Sequence, residues 1–194
     1  MGPSPYPRTR GIALAATFAA LISVTSPISI PIGPVPITLQ VFFVYLAAAL
    51  LGPRYGSLSM LIYLGLGAAG LPVFAGLNLG TAVLFGPTGG YLFGFLGASL
   101  LGGLVARNRS SRKGADTIKV SASALVSLLV IYGLGVAWLM NSLHLDIYAG
   151  LTIGALPFIP VDIVKAVVAV PIAVRLRWST LRLPVNAATG SPNP

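Results

Sequence analysis

The sequence predicts an all-α membrane protein of six transmembrane helices, with both chain ends on the cytoplasmic side. Three observations carry that prediction. Of the 194 residues, 56% are hydrophobic and only 8% charged, with a mean hydropathy of +0.92. Soluble domains carry about 25% charged residues, so this chain cannot clothe a water-facing surface and most of it must face lipid. Six apolar segments can be drawn between Pro, Gly and charged residues, at about 11–27, 37–51, 55–71, 89–106, 118–140 and 151–174. The cations then sort by connection. Arg8, Arg10, Arg54, Arg107, Arg109, Arg112, Lys113, Lys119, Arg175, Arg177 and Arg182 all fall on one side, and the connections 28–36, 72–88 and 141–150 hold no Lys or Arg. That is the positive-inside pattern of a six-span chain with both termini inside.

Taken in order, RTRGIALAATFAALISV has the basic start and apolar core of a signal peptide. No A-x-A-like cleavage site follows it, and its removal would spoil the charge pattern, so it is expected to stay as the first helix. Tyr6 stands where a myristoylation motif needs Ser or Thr, so MGPSPY implies no lipid anchor. Several segments fall short of the ~20 residues of an upright span, which points to broken ends or loops folded into the protein. GPRYG (52–56) and GPTGG (86–90) punctuate helix starts, with proline favoured in a first turn. The fourth segment carries Gly90, Gly94, Ala98, Gly102 and Ala106 at fourfold spacing, a smooth stripe for close helix packing. In the first segment the pairs Ala15/Ala19 and Ala16/Ala20 suit either internal packing or docking of another membrane subunit. Trp138 and Tyr148 are expected near the outer boundary and Trp178 near the inner one. One membrane domain is expected over residues 11–177, after a cytoplasmic N-terminus (1–10) and before a cytoplasmic tail (178–194) whose PVNAATGSPNP has the composition of disorder.

Two outer connections are too apolar for loops in water. SPISIPIGPVPITLQ has four prolines and no charge, and LPVFAGLNLGTAVLFGPTGGY is long and glycine-rich. Irregular backbone at membrane depth is tolerated where it lines a cavity, so both are expected to cap the bundle as lids.

Composition removes most chemistry. The chain has no cysteine, one histidine (His144) and three acids: Asp116, Asp146 and Asp162. No HExxH, paired carboxylates or Cys/His cluster exists to bind a metal or perform acid–base catalysis. GPTGGYLFG lacks the lysine and spacing of a phosphate-binding loop. The net charge of +9 sits at helix ends and not among aromatics, so it reads as topology, not a nucleic-acid surface. What remains is Asp162 and Lys165 in FIPVDIVKAVVAVPIAV, one helical turn apart. A charge at the middle of a span costs about 2.5–3.5 kcal/mol on insertion scales. The pair either neutralises itself for packing or grips a polar solute.

VPITLQVFFVYLAAALLGPRYGSLSMLIYLGLGAAGLPVFAG, GPTGGYLFGF and FIPVDIVKA together resemble the BioY family, the biotin-specific S subunits of energy-coupling-factor (ECF) transporters, from about residue 11 to 177. The resemblance implies an S-component bundle binding biotin near its outer face under loops 1–2 and 3–4. It implies a multi-pass protein of the cell membrane, no cofactor, no catalytic residue, and three partner chains: a transmembrane coupling subunit and two ATPases. It carries Asp162 and Lys165 over as biotin ligands, with the carboxylate accepting ureido N–H groups and the ammonium serving the ureido oxygen or the valerate carboxylate. Asn78 is expected as a neutral hydrogen-bonding partner, the Gly86–Tyr91 turn with Gly86 and Thr88 as presenting helix N–H groups to an anion, Tyr91 as flanking the rings, and Thr38 and Gln40 as polar contacts. Phe74 and Phe85 are expected to cover the thiophane ring. Ala15, Ala16, Ala19 and Ala20 match the family's docking motif. One departure is that no outer loop has a cation for the biotin carboxylate. The competing expectations are a self-sufficient biotin carrier and an S subunit for another small vitamin.

Overall fold

A computed structural model describes residues 8–179, and it is mostly helical. The chain runs α1 (Arg8–Thr25), a hairpin of β1 (Ser29–Ile32) and β2 (Val35–Thr38), α2 (Gln40–Ala68), a short 3-10 turn (Ala75–Leu77), α3 (Thr81–Phe85), α4 (Gly89–Ala106), α5 (Lys113–Leu143), α6 (Ile147–Gly154) and α7 (Ile159–Ser179). Three helices, α2, α4 and α5, are each long and apolar enough to cross a membrane, and the bent pair α6–α7 adds a fourth candidate. The chain is therefore a multi-pass membrane protein. Residues 1–7, the tail from 180 and Arg182 lie outside the described part.

The second and third predicted segments are two arms of α2 that fold back on each other. Gly52 stands at φ 69° and ψ −172°, a conformation open essentially only to glycine. Pro53 opens the second arm, where its missing N–H removes no helix bond. The reversal is plain from two approaches that a straight helix forbids. A Cβ on Gly56 would lie 3.1 Å from the Ala47 carbonyl oxygen, and Gln40 Nε2 donates to Tyr63 Oη at 2.5 Å. At 1.5 Å rise per residue, Gln40 and Tyr63 would otherwise be about 35 Å apart.

The glycine stripe of α4 does what small residues permit. A Cβ on Gly94 would sit 3.0 Å from Ile131 Cα of α5, and one on Gly103 would run into Gly52 and Pro53. Ser123 and Ser127 of α5 donate to the Gly102 and Ala98 carbonyl oxygens, so polar groups also bind the two helices together.

Two expectations need correction. The first outer connection is not simply irregular: it contains an antiparallel hairpin with Pro31 opposite Pro36 and Gly33 (φ +62°) in its two-residue turn. A proline pair fits a ladder only where neither residue must donate; β-branched Ile and Val fill the flanking pairs Ile30–Ile37 and Ile32–Val35, and Ser29 pairs with Thr38. The last predicted segment, 151–174, is broken: α6 and α7 meet at a 47° bend. α7 then continues to Ser179, beyond the expected domain edge at 177.

At the end of the bundle opposite the hairpin, Asp116 is fully buried. Arg177 Nε and Nη2 each donate to its carboxylate at 3.1 Å, Trp178 Nε1 donates at 3.1 Å and the Ser110 N–H at 3.1 Å. Arg177 Nη1 also donates to the Ala49 and Ala106 carbonyl oxygens at 2.6 and 2.8 Å. One guanidinium thus ties the first arm of α2, α4 and α5 to the end of α7. Arg109 lies over the Trp178 ring, 4.4 Å from its centroid, and donates to the Arg177 carbonyl oxygen.

Candidate functional site

The other end of the bundle encloses a cavity of about 150 Å³. β2 forms one wall, the 74–78 loop and Val83 of α3 another, and the first turns of α4 and α7 close it with Ile131 and Tyr132 of α5. Most of the lining is apolar, with Phe74, Leu92, Phe95, Phe158 and Val161 prominent. Into this surface project one carboxylate and one ammonium, Asp162 and Lys165.

The break between α6 and α7 accounts for their position. It places Asp162 in the first turn of α7, where the helix dipole favours negative charge. Lys165 Nζ donates to Asp162 Oδ1 at 2.6 Å, and both side chains are nearly buried, at 11% and 5% exposure. On the other oxygen, Tyr132 Oη donates to Asp162 Oδ2 at 2.7 Å. Each oxygen keeps a further acceptor position, and the ammonium, with three donors, keeps two. The constellation can therefore accept an N–H and donate to a carbonyl or carboxylate of the same small molecule.

The other expected residues separate into groups. Asn78, Thr88, Tyr91, Thr38, Gln40 and Phe74 line the cavity together with Asp162 and Lys165. Asn78 Nδ2 is engaged by the Ala75 carbonyl oxygen at 2.7 Å, which leaves its Oδ1 as the acceptor on offer. Thr38 and Gln40 spend their polar atoms structurally: Thr38 Oγ1 donates to Gln40 Oε1 at 2.7 Å, and Gln40 reaches Tyr63, whose hydroxyl also meets Ser26 Oγ at 3.0 Å. This chain of bonds pins the base of the hairpin to α1 and α2. Phe74 is buried edge-on to Tyr63, with ring centroids 5.5 Å apart. Tyr91 does not offer its hydroxyl to the cavity, because that group donates to the Gly154 carbonyl oxygen at 2.6 Å and caps the end of α6.

Phe85 and Gly86 are not among the lining residues. Phe85 points outward and is 69% exposed, because it ends the single turn of α3 on its outer side. Gly86 turns its carbonyl oxygen to Trp138 Nε1 at 3.0 Å. The expected anion cradle is also depleted, since the Gly89 N–H bonds Gly86 and the Tyr91 N–H bonds Thr88. In α1 the four alanines divide: Ala15 and Ala19 are buried within the bundle, while Ala16 and Ala20 are exposed. Ala15 and Ala19 therefore pack internally and offer no surface for docking.

Sequence reasoning missed Tyr132, Phe95 and Phe158 at the cavity, and the Asp116–Arg177 cluster at the far end. Tyr132 carried a usable signal: a hydroxyl in the middle of an apolar span needs a partner.

Comparison with known proteins agrees with this architecture. The BioY family's sequence profile matches residues 3–182. The biotin transporter BioY of Thermotoga maritima is 48% identical over 168 residues, 87% of this chain and 96% of that protein. The biotin transporter BioY2 of Lactococcus lactis is 41% identical over 156 residues, 80% of this chain and 84% of its own. Among solved structures, the S-component for biotin from an ECF-type ABC transporter superposes with a TM-score of 0.76 at 34% identity, covering 88% of this chain and 92% of that one.

Proposed function

The chain belongs to the BioY family, and from that premise we propose that it is the biotin-binding S subunit of an ECF transporter and mediates biotin uptake. It is a binding and transport subunit, not an enzyme. ATP is hydrolysed by partner chains: two ATPases joined to it through a transmembrane coupling subunit. The observation that carries the proposal is the buried Asp162–Lys165 pair inside an otherwise apolar cavity. A cyclic urea on a thioether ring attached to a short aliphatic acid matches that pattern of polar and apolar surface.

In this proposal Asp162 and Asn78 Oδ1 accept the two ureido N–H groups and Lys165 donates to the ureido oxygen or the carboxylate. Phe74 and the neighbouring apolar side chains cover the thiophane ring. The six spans are α1, the two arms of α2, α4, α5 and α7, with both termini cytoplasmic. The hairpin and the 74–88 connection cap the cavity on the outer side, and α1 meets the coupling subunit through its exposed Ala16 and Ala20 face. Support for the topology comes from the cations of the described residues other than Lys165, which gather at the end opposite the cavity together with the Arg177 cluster.

The test is uptake of labelled biotin in cells that lack their own transporter, expressing this chain with and without the coupling subunit and ATPases of its source. ATP-dependent uptake that needs the module supports the proposal. Full uptake by the chain alone would identify a self-sufficient carrier, and preference for another vitamin would overturn the substrate.

A further inference from the structure

Asp162 can serve as a ligand only if its carboxylate is held in one orientation, and Lys165 alone cannot do that. The terminal torsion of an aspartate is broad and roughly two-fold, and Lys165 is a long, flexible side chain from the same helix. The second tether comes from a different helix. Tyr132 of α5 donates to Oδ2 at 2.7 Å while Lys165 donates to Oδ1 at 2.6 Å, so each oxygen is held by its own donor. Tyr132 is itself braced: its ring meets the Tyr91 ring edge-on at 6.3 Å, and the Tyr91 hydroxyl is anchored on the Gly154 carbonyl oxygen. Among the described residues no other side chain donates to the Asp162 carboxylate, so this tether is not duplicated.

We propose that Tyr132 is a positioning residue for substrate recognition, whose hydroxyl fixes the Asp162 carboxylate plane so that its remaining lone pairs face the cavity. The inference rests on the biotin reading above and deepens it. Recognition of a neutral head group through N–H donors depends on acceptors already aimed before the ligand arrives, because reorienting a buried group on binding subtracts from affinity. Tyr132 thereby favours ligands with an N–H donor at that point, which is the ureido end of biotin and not its acid end.

The experiment is a double-mutant cycle on biotin affinity, using the full chain purified in detergent. Wild type, Tyr132→Phe, Asp162→Asn and the double variant are compared by calorimetric titration or, where binding is weak, by competition. Tyr132→Phe keeps the ring that packs against Tyr91 and removes only the hydroxyl, and its ligand-free melting curve monitors the fold. The expected result is a loss of about ten- to a hundred-fold in affinity on a wild-type background, the range for one hydrogen bond to a charged group. Little or no further loss is expected on the Asp162→Asn background, since the carboxylate that Tyr132 holds is no longer there. Affinity within twofold of wild type for Tyr132→Phe would overturn the inference. So would an equal loss on both backgrounds, which would mean that Tyr132 acts independently of Asp162. A wild-type chain that fails to bind biotin would instead overturn the functional reading beneath it, and the two failures are separated by that single arm.

Discussion

Replacing Arg177 by methionine should destabilise the bundle more than any other single removal of a charge. The guanidinium makes two bonds to the Asp116 carboxylate and two to helix-end carbonyl oxygens. Without it, Asp116 keeps only the Trp178 and Ser110 donors among the described residues and remains a fully buried negative charge. Removing one partner of a buried ion pair costs about 3–5 kcal/mol. The Ala49 and Ala106 carbonyl oxygens each lose a donor as well, which adds about 1–3 kcal/mol apiece where water cannot enter. These terms overlap, so a total near 5 kcal/mol is the expectation. The double variant Asp116→Leu/Arg177→Met removes both charges and should recover a large part of the loss, because the cost lies in the orphaned carboxylate. The neighbouring exposed Arg175→Met serves as the control, within about 0.5 kcal/mol of wild type. The assay is unfolding in detergent, followed by far-UV circular dichroism and by the fraction of monodisperse protein after heating. Equal stability of Arg177→Met and Arg175→Met would refute the reasoning, as would a double variant weaker than Arg177→Met alone.

Three further outcomes are expected. Gly52→Ala should cost about 1–3 kcal/mol from backbone strain alone, since nothing lies within 4 Å of its would-be Cβ, whereas Gly65→Ala, equally unobstructed but at a helical position, should be neutral or stabilising in the same unfolding assay. Asp162→Asn and Lys165→Ala should each weaken biotin binding at least tenfold in a titration; undiminished affinity in both would remove the pair from the site. Ala16→Leu should leave biotin binding intact and abolish module-dependent uptake, whereas Ala15→Leu should lower stability by about 1–3 kcal/mol through overpacking; unimpaired uptake by Ala16→Leu would remove the exposed face of α1 from docking.

Local signals made much of this architecture legible. The apolar runs and the glycine stripe marked helices because lipid exposure and close packing leave direct traces in composition. GPRYG marked the turn at Gly52 because only glycine takes that backbone conformation and proline then opens a helix. Asp162 and Lys165 stood out because a charge in an apolar run has few reasons to exist. What escaped were features that depend on which helices meet. Asp116 looked like one more loop residue until α7 brought Arg177 and Trp178 to it, a pairing across 61 residues of chain. Tyr132 lacked meaning until α5 and α7 placed it against Asp162. The division of the α1 alanines could not be read from spacing, because a helix rotated by one residue presents the other pair. Phe85 is expected to cover the thiophane ring, but the brevity of α3 turns it outward.

Calorimetric titration of biotin into the purified chain alone, with thiamine and riboflavin as controls, tests the central claim most directly. Tight one-to-one binding of biotin, with no heat from the other two vitamins, is the predicted result. A folded, monodisperse sample that binds no biotin, or that binds a control vitamin as tightly, would contradict the account and return the Asp162–Lys165 pair to a packing role.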